Sequence, residues 1–553
     1  MIEVFLVLII ALGTFFRFTQ LTSLPIALFG DEIDVGYQAW SLISTGRDYM
    51  GHLLPTYIQS LAEWRAPLLM YLTAPFVGLF GTTDLAIRLP VALIGSLSIY
   101  LIYLLGNTLF KNKTTALIST LLLAITPWHI HFSRAAFEVV PLTFLTMLGT
   151  YLFLKGKYFA SLIPFFLTFY AYSTAVVFTP LFVLALLLIE RPKLSLGKNW
   201  PRLFLPSLLA LPIVYNIFFG QAGGRFGLIS IFSDLKIIES VILQRTDPWV
   251  QKTFFEVLFH NKYLAIATAF FDNYLTSFSP QFLFVNGDPF FRHSISKVGE
   301  LLLPTLPLFL AGLYFIFKNF SQKNSKLLLF WLLLSPIPSC LTTGGGTHAT
   351  RLFLMVPPLI LISALGGTYL FSLFGKKFIR PTIILFIVFL GLFFTSFWHR
   401  YSSHYKYESA SLWHYGFKNI FTDLKALAPN FDKVYINNTY QPSLLLFLFY
   451  TQYPPQDFQK NFVTDKVDTY QTNSFHGFVF DQKYFFGEAP NLDELKLLMN
   501  DRMVYLAVQG REGQGDWDWS KNPLDNTTVL ASQKNIFGQP LFYLMSGTLP
   551  PKN

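Results

Sequence analysis

Three carboxylates stand close together just after the first hydrophobic stretch of this 553-residue chain: Asp31, Glu32 and Asp34. Charges beside a membrane-spanning segment are costly to keep there, so such a cluster is a functional-site hypothesis from the outset. On a helix Asp31 and Asp34 would share a face, because they are three positions apart. The cluster could supply a base, hold a metal ion or pair with a cation. The alternative is capping of a helix that we predict to begin near Val35.

A second polar group combines opposite charges two positions apart, Glu63 and Arg65, in the run Glu63–Pro67. A guanidinium suits a phosphate because its donors are planar and permanently charged. The alternative is an interfacial anchor, since Trp64 and Arg65 are residue types enriched at membrane surfaces.

The segment 128–138 carries two histidines, His129 and His131, and then Arg134 and Glu138. We interpret the histidines, which alternate, as surface residues rather than as metal ligands. Glu138 stands where the next hydrophobic span should begin. A functional carboxylate and an i,i+4 ion pair with Arg134 are both open for it.

A Gly- and Thr-rich loop, 342–351, ends in Arg351, and Arg292 and His293 follow the turn-like sequence 286–289. Flexible backbone amides, hydroxyls and a cation suit a phosphate. The loop is not a P-loop, because no Gly-Lys-Ser/Thr follows it. A tight interhelical turn with an interfacial arginine is the alternative.

Composition defines the elements that must position these residues. Hydrophobic residues make up 53% of the chain and charged residues only 13%, and the mean hydropathy is +0.46. A soluble chain carries roughly twice that charge. The net charge of +10 comes from basic residues that recur in short loops, for example Lys111, Lys155 and Lys318. This pattern predicts a polytopic membrane protein and argues against a nucleic-acid surface.

Apolar runs predict eleven transmembrane spans, with the N-terminus inside and the C-terminus outside because basic loops stay cytoplasmic. The runs lie near 3–20, 86–109, 114–128, 139–154, 158–171, 174–189, 203–219, 301–317, 327–341, 352–374 and 382–398.

We predict a transmembrane domain over residues 1–398 and a soluble, non-cytoplasmic α/β domain over 399–553. The outer loops of the first are 21–85, 128–138, 220–300 and 342–351, and the loop 220–300 has amphipathic stretches that suit the membrane surface. In the second, strand-like runs, among them Met503–Val508, alternate with helix-like ones. Cys340 is the single cysteine, so no intramolecular disulfide can form. The first span lacks a cleavage signal, and we expect it to stay uncleaved.

Over its first 200 residues the chain resembles the GT-C glycosyltransferases, in the branch of protein O-mannosyltransferases and bacterial lipid-A aminoarabinose transferases. The motifs that carry the resemblance are Asp31-Glu32, the run 63–67, the pattern Leu-Phe-Gly…Arg-Leu-Pro over 79–90, and Ser133-Arg134 with Glu138. Three positions depart from the pattern: Ala66 replaces a proline, Arg65 a lysine of some members, and Glu138 the commoner aspartate. The departures bear on the sugar rather than on the fold.

The resemblance implies the GT-C fold, about eleven transmembrane helices with juxtamembrane helices on the outer face. It implies transfer of a sugar from a polyprenyl-phosphate donor, usually with inversion, to a lipid, glycan or protein acceptor. Asp31 would be the general base, with Glu32 and Glu63 beside it in the catalytic set. Arg65, Arg351, Arg292 and His293 would bind the donor phosphate. Asp34 and Glu138, and Glu63 in a second role, would orient the acceptor or hold a divalent cation, Mg²⁺ or Mn²⁺.

The implied location is a bacterial plasma membrane, with the catalytic loops on the outer face and the lipid bilayer as a partner. A transporter or flippase of a lipid-linked or small polar substrate is the main alternative. Such a protein would place polar residues or broken helices near mid-membrane, whereas here the charges gather at the outer edge. A scaffold that displays its C-terminal domain is a further alternative, in which Asp31 would be dispensable.

Overall fold

The fold is that of a computed structural model, which describes residues 2–61, 63–192, 204–219, 227, 229–246, 249, 253–375, 377–462, 468–472, 475–512 and 517–548. The chain divides into two compact units. The first comprises 1–21, 56–69 and 88–404, and the second 22–55, 70–87 and 405–553. The boundary at residue 398 stays a prediction.

Apolar helices dominate, which confirms an α-helical polytopic membrane protein. Among the described residues three helices are long and apolar enough to cross a membrane: Asp84–Phe110, Ala349–Ser372 and Ile379–Glu408. Shorter apolar helices are Leu68–Phe80, Lys113–Ile125, Val139–Leu154, Tyr158–Phe169, Ala175–Glu190 and Leu303–Lys318. The helices Ile2–Phe18, Phe204–Phe218 and Lys323–Leu334 occupy further predicted runs. Eleven membrane crossings remain a prediction. Most of the basic segment 191–202 lies outside the described residues.

Small residues let two helices of the first unit approach closely. A Cβ at Gly312 would collide with the carbonyl oxygen of Ile362, and a Cβ at Gly366 would collide with that of Leu308. The helix that begins at Leu306 therefore packs backbone to backbone against the helix Val356–Ser372. Close packing of this kind is a main source of helix association where lipid replaces water.

A buried arginine closes the end of another helix in the same unit. The helix Lys113–Ile125 ends before Pro127, so its last carbonyls lack partners within the helix. Arg17, in the first helix, donates to the carbonyl oxygens of Ala124 and Leu123, both at 3.2 Å. The guanidinium is fully buried, and these bonds supply partners for the carbonyls at the helix end.

Three helices lie in the long predicted outer loop: Leu235–Thr246, Phe254–Phe259 and Lys262–Thr276. Their large apolar side chains are widely exposed, for example Leu243 at 69% and Tyr263 at 84%. Exposure of this kind suits helices that lie along a membrane surface. Residues 220–226, 228, 247–248 and 250–252 of this loop are outside the described part of the chain.

The second unit contains the helix Gly30–Thr45 and a seven-stranded mixed sheet. The strands of the chain are β1 Ile58–Gln59, β2 Trp64–Arg65, β3 Lys433–Asn437, β4 Asp468–Thr472, β5 Phe475–Phe480, β6 Tyr484–Glu488, β7 Met503–Val508, β8 Thr527–Lys534 and β9 Pro540–Gly547. The sheet order is β4-β5-β6-β3-β7-β9-β8, and β3 pairs parallel with both β6 and β7. Its helices are Phe417–Leu427, Ser443–Tyr450, Pro455–Asn461 and Leu492–Leu498. The predicted α/β character of the C-terminal domain is confirmed.

Candidate functional site

The acidic cluster forms the first turn of the helix Gly30–Thr45, in the second unit. The helix begins at Gly30, so the predicted start near Val35 is wrong. The reason is local: the Phe29 amide donates to Glu32 Oε2 at 3.4 Å, and the glutamate thereby caps its own helix. Glu32 is fully buried, whereas Asp31 is half-buried.

Asp34 has a defined partner within the same unit. Tyr49 donates its hydroxyl to Asp34 Oδ1 at 3.0 Å, and the Tyr49 amide donates to Gln38 Oε1 at 3.1 Å. Asp34, Gln38 and Tyr49 are all buried. This network fixes the chain after the helix. Of the three carboxylates, Asp31 is the most exposed.

Arg65, in the first unit, is placed by a short hairpin in which β2 pairs antiparallel with β1. Its Nη2 donates to Glu138 Oε1 at 2.7 Å, and its Nε lies 3.9 Å from Glu63 Oε1. The Arg65 and Glu138 side chains are only 4% and 8% exposed. The hydrogen bond to Glu138 and the nearby Glu63 carboxylate restrict the Arg65 guanidinium to one orientation.

Glu138 is the residue before the helix Val139–Leu154, as the sequence predicts. It pairs with Arg65 rather than forming the i,i+4 pair with Arg134. Arg134 instead donates to the carbonyl oxygens of Phe16 and Thr19 and lies over the rings of Trp398 and Tyr401. It therefore anchors the end of the first helix.

The interpretation of His129 and His131 as surface residues is wrong, since each is 1% exposed. His129 Nδ1 accepts from Arg17 at 2.8 Å. His131 Nε2 lies 2.8 Å from the carbonyl oxygen of Arg292. Burial lowers the pKa of His131 to about 4, so the ring is neutral at pH 7 and Nε2 donates to that carbonyl. The short helix Pro127–Phe132 buries both rings because it packs inside the unit.

A second cluster of the first unit joins Asp288, His293 and His348. His293 Nδ1 lies 3.1 Å from Asp288 Oδ2, and the His293 and His348 rings stack with centroids 4.5 Å apart. Asp288 Oδ2 also accepts from the Ala349 amide at 2.9 Å, so it ties two loops together. Ligand atoms of the three side chains lie within 4.8 Å of one another, which makes the cluster a candidate divalent-cation site. One carboxylate and two imidazoles suit zinc or manganese better than magnesium.

Glu300 lies beside this cluster. Its Oε1 accepts from the Asp288 amide at 3.0 Å, and its carbonyl oxygen accepts from the Trp128 amide at 3.1 Å. Burial raises the pKa of Glu300 well above its usual range. The sequence did not predict a functional role for Asp288, Glu300 or His348. The turn residues around Asp288 and the Gly-rich loop around His348 were visible, but nothing local indicates that they meet.

The remaining predicted phosphate ligands, Arg351 and Arg292, also lie in the first unit. Arg351 Nη1 donates to Thr342 Oγ1 at 2.6 Å and to the Thr343 carbonyl at 3.3 Å, across its own loop. Arg292 lies over the ring of Phe290 at 5.3 Å and stands beside His293. Phe137 precedes Glu138 in the chain, and the centroids of the Phe137 and His293 rings are 6.5 Å apart. The first unit thus contains both the group Glu63, Arg65 and Glu138 and the cluster Asp288, His293 and His348.

Comparison with known proteins supports the resemblance. Residues 64–218 match the family model described as dolichyl-phosphate-mannose-protein mannosyltransferase. No curated protein sequence matches the chain significantly. Among solved structures, ArnT from Cupriavidus metallidurans bound to undecaprenyl phosphate is 13% identical, with 97% of both chains covered and a TM-score of 0.50. AglB from Archaeoglobus fulgidus, in complex with an inhibitory peptide and a dolichol-phosphate, is 13% identical, with 81% of this chain and 63% of that chain covered and a TM-score of 0.49.

The likeness to ArnT shows the fold, and the family match covers both Arg65 and Glu138. Together they confirm the predicted GT-C fold of a multi-pass membrane protein. They do not favour the transporter alternative.

Proposed function

We propose that this chain, a membrane protein with the GT-C fold of the ArnT and protein mannosyltransferase type, transfers a sugar from a polyprenyl-phosphate donor. The acceptor is a lipid, glycan or protein at the non-cytoplasmic face. The observation that carries the proposal is the buried ion pair between Arg65 and Glu138, 2.7 Å apart inside the segment that matches the family.

The proposed reaction is a direct displacement. The acceptor oxygen attacks the anomeric carbon, and its bond to the sugar forms while the bond between that carbon and the phosphate oxygen breaks. The electron pair leaves with the polyprenyl phosphate, and the acceptor proton goes to Asp31. A single displacement inverts the anomeric configuration. Asp31 suits the base because it is half-buried, whereas Glu32 caps the helix and Asp34 is held by Tyr49.

Stabilisation of the leaving phosphate falls to the cations of the first unit. Arg65 presents planar donors that Glu63 and Glu138 hold in one direction, so it is pre-organised for phosphate. We therefore assign Glu63 and Glu138 to positioning Arg65, in addition to orienting the acceptor. Arg351 and Arg292 provide further positive charge for the phosphate, and His293 provides a ring N–H that can donate to it.

A divalent cation, if the reaction uses one, would be held by Asp288, His293 and His348. Glu63 and Glu138 suit it less well because both face the Arg65 guanidinium, whose positive charge opposes a cation there. At the cluster the cation would supply positive charge to a phosphate oxygen. Every other step is assigned to the protein's own side chains.

The proposed location is a bacterial plasma membrane, with the loops that carry Asp31, Arg65, Glu138 and Arg351 on the outer face. Basic residues in the alternate loops support this orientation. The prenyl chain of the donor would lie among apolar helices, which needs no distinctive residue. Among the described residues no observation favours a transporter.

The test is sugar transfer from a panel of radiolabelled polyprenyl-phosphate sugars by the purified full-length protein. Asp31→Asn should lower turnover at least about 100-fold, since general-base catalysis contributes about that much. Asp493→Asn is the matched control, because that side chain is 93% exposed on the C-terminal domain. Full turnover by Asp31→Asn would remove Asp31 as the base. No turnover by the wild type with any donor would contradict the transferase.

A further inference from the structure

A cleft in the second unit has no role in the reaction as proposed. Its volume is about 390 Å³, within the roughly 300–1,000 Å³ of ligand pockets. It lies between the segment 407–417 and the residues 535–542, which include the turn between β8 and β9. We call it the aromatic cleft and define it by Tyr407, Glu408, Ser411, His414, Tyr440 and Phe537.

Two aromatic rings stand exposed at its rim. Tyr407 is 40% exposed and Phe537 is 67% exposed, and their centroids are 6.1 Å apart. Two exposed rings side by side at a cleft offer apolar surface that a bound ligand can cover. The pair is also pre-organised. The Asn535 side-chain oxygen accepts from the amides of Phe537 and Gln539 and thereby fixes the turn that presents Phe537.

The floor of the cleft is aromatic as well, and it is rigid. Phe417 packs against Phe542 at 4.5 Å and against Tyr440 at 5.5 Å. Phe417 and Phe542 are buried, so the floor belongs to the core of the unit. Its shape should not change when a ligand enters.

Polar groups share the same cleft. Glu408 and Ser411 line it and are exposed, and His414 lines its inner side. Aromatic faces next to a carboxylate and a hydroxyl suit a pyranose, whose ring faces are apolar C–H surfaces and whose edges are hydroxyl groups. A prenyl chain offers no hydrogen-bonding group to a carboxylate or a hydroxyl. A phosphate group would meet the negative charge of Glu408.

The position of the cleft connects it to the acidic cluster within the same unit. A Cβ at Gly30 would lie 3.7 Å from His414 Cε1, and the Phe29 ring meets the Trp413 ring edge-on at 5.0 Å. Residues 29 and 30 thus pack on the segment that lines the cleft, and Asp31 follows directly. The helix start that carries the proposed base therefore packs against the segment that forms one wall of the cleft.

We propose that the aromatic cleft binds a saccharide and that this saccharide is part of the acceptor. The acceptor is therefore glycosylated before this enzyme acts on it. The binding itself is independent of the reaction, and only the acceptor role rests on the proposed function.

The test is binding of oligosaccharides to the full-length protein without any polyprenyl donor. A glycan array selects the ligand, and saturation-transfer NMR with that glycan measures its affinity for each variant. Phe537→Ala should weaken binding about tenfold or more, because it removes one stacking face. Trp517→Ala is the matched control, since Trp517 is 56% exposed on the same domain and is not among the cleft residues. Trp517→Ala should bind as the wild type does.

The binding assay and the transfer assay test different parts of the proposal. In the transfer assay Phe537→Ala should raise the acceptor KM about tenfold and leave kcat nearly unchanged. No glycan binding by the wild type, or equal loss in both variants, overturns the cleft proposal even if transfer proceeds. Binding that prefers peptides or lipid vesicles over glycans overturns it too. Glycan binding by a protein without transferase activity keeps the cleft and removes the proposed function.

Discussion

The buried Tyr49 hydroxyl donates to Oδ1 of Asp34, 15 positions earlier in the chain, at 3.0 Å. The tyrosine has no counterpart in the motif that drew attention to Asp34. The bond gives one member of the acidic cluster a structural task and so separates it from Asp31. A carboxylate that holds a buried donor is poorly placed to take a proton from an acceptor.

Tyr49→Phe should therefore destabilise the protein without abolishing transfer. Removing a hydrogen bond to a buried carboxylate costs about 1–3 kcal/mol. We expect a lower midpoint of thermal unfolding in detergent and near-normal turnover at a temperature where the variant is folded. Tyr263→Phe, at a residue that is 84% exposed, should leave the midpoint unchanged. A stable but inactive Tyr49→Phe would instead put Asp34 in the reaction.

The pair Arg65 and Glu138 predicts a split between stability and activity. Loss of one partner leaves a buried charge, which costs about 3–5 kcal/mol. Arg65→Gln and Glu138→Gln should each lower the unfolding midpoint strongly. The double variant should recover much of that loss and remain inactive, because the proposed phosphate ligand is gone. Thermal unfolding and turnover of all four proteins check this, and an active double variant would contradict the assignment of Arg65.

The cluster Asp288, His293 and His348 predicts a bound transition metal. Elemental analysis after dialysis against zinc or manganese should find about one ion per chain. His348→Ala should weaken that binding about tenfold or more, by analogy with losses seen when groups around metal sites are removed. His260→Ala, at a half-buried histidine outside the cluster, is the control. A wild type that retains no metal would identify the cluster as a hydrogen-bonded joint between two loops.

The C-terminal domain predicts a pH dependence through Glu512. Tyr505 donates to Glu512 Oε1 at 2.7 Å and the Val508 amide to Oε2 at 2.8 Å, and burial nevertheless raises the pKa of Glu512. A carboxyl with a raised pKa binds protons more tightly in the folded state. Its contribution to stability is therefore present at low pH and lost as pH rises through the folded-state pKa.

Hydrogen exchange of β7 checks this prediction in the full-length protein. Protection of Met503–Val508 should decrease as pH rises, beyond the intrinsic change in exchange rate, and Glu512→Gln should flatten that decrease. The substitution should also lower protection at every pH. The NH2 group of the new side chain is a donor and cannot accept the hydrogen bond of the Val508 N–H. Protection that is independent of pH in the wild type would contradict the raised pKa.

Elements with a strong local signal could be predicted from the sequence. The strand β7 covers the predicted run Met503–Val508, and the helix Val139–Leu154 has the predicted bounds, because the composition of each run specifies its element. The start of the helix at Gly30 was missed because it depends on one hydrogen bond from the Phe29 amide to Glu32. Propensity alone does not reveal a bond of that kind.

Individual candidate residues could be chosen from the sequence for their chemistry, but their arrangement could not be predicted. Arg65 and Glu138 were both chosen for their chemistry, yet they are 73 positions apart and only the packed helices bring them together. The same holds for His348 and His293, which meet through two loops. Buried His129 and His131 show the converse error, since alternation of polar and apolar residues suggested a surface in a segment that packs inside the unit.

Arg17 has a consequence for how the protein is made. The first helix, Ile2–Phe18, carries this charge near its end, and an arginine in a lone membrane helix costs about 2.5–3.5 kcal/mol at the helix centre. Besides the Gly13 carbonyl in its own helix, the carbonyls that receive it belong to residues 123 and 124. The bonds to these two can form only after the ribosome has delivered more than a hundred further residues. A chain whose synthesis stops before residue 123 lacks these partners for Arg17. Its first helix should then be more accessible to quality-control proteases.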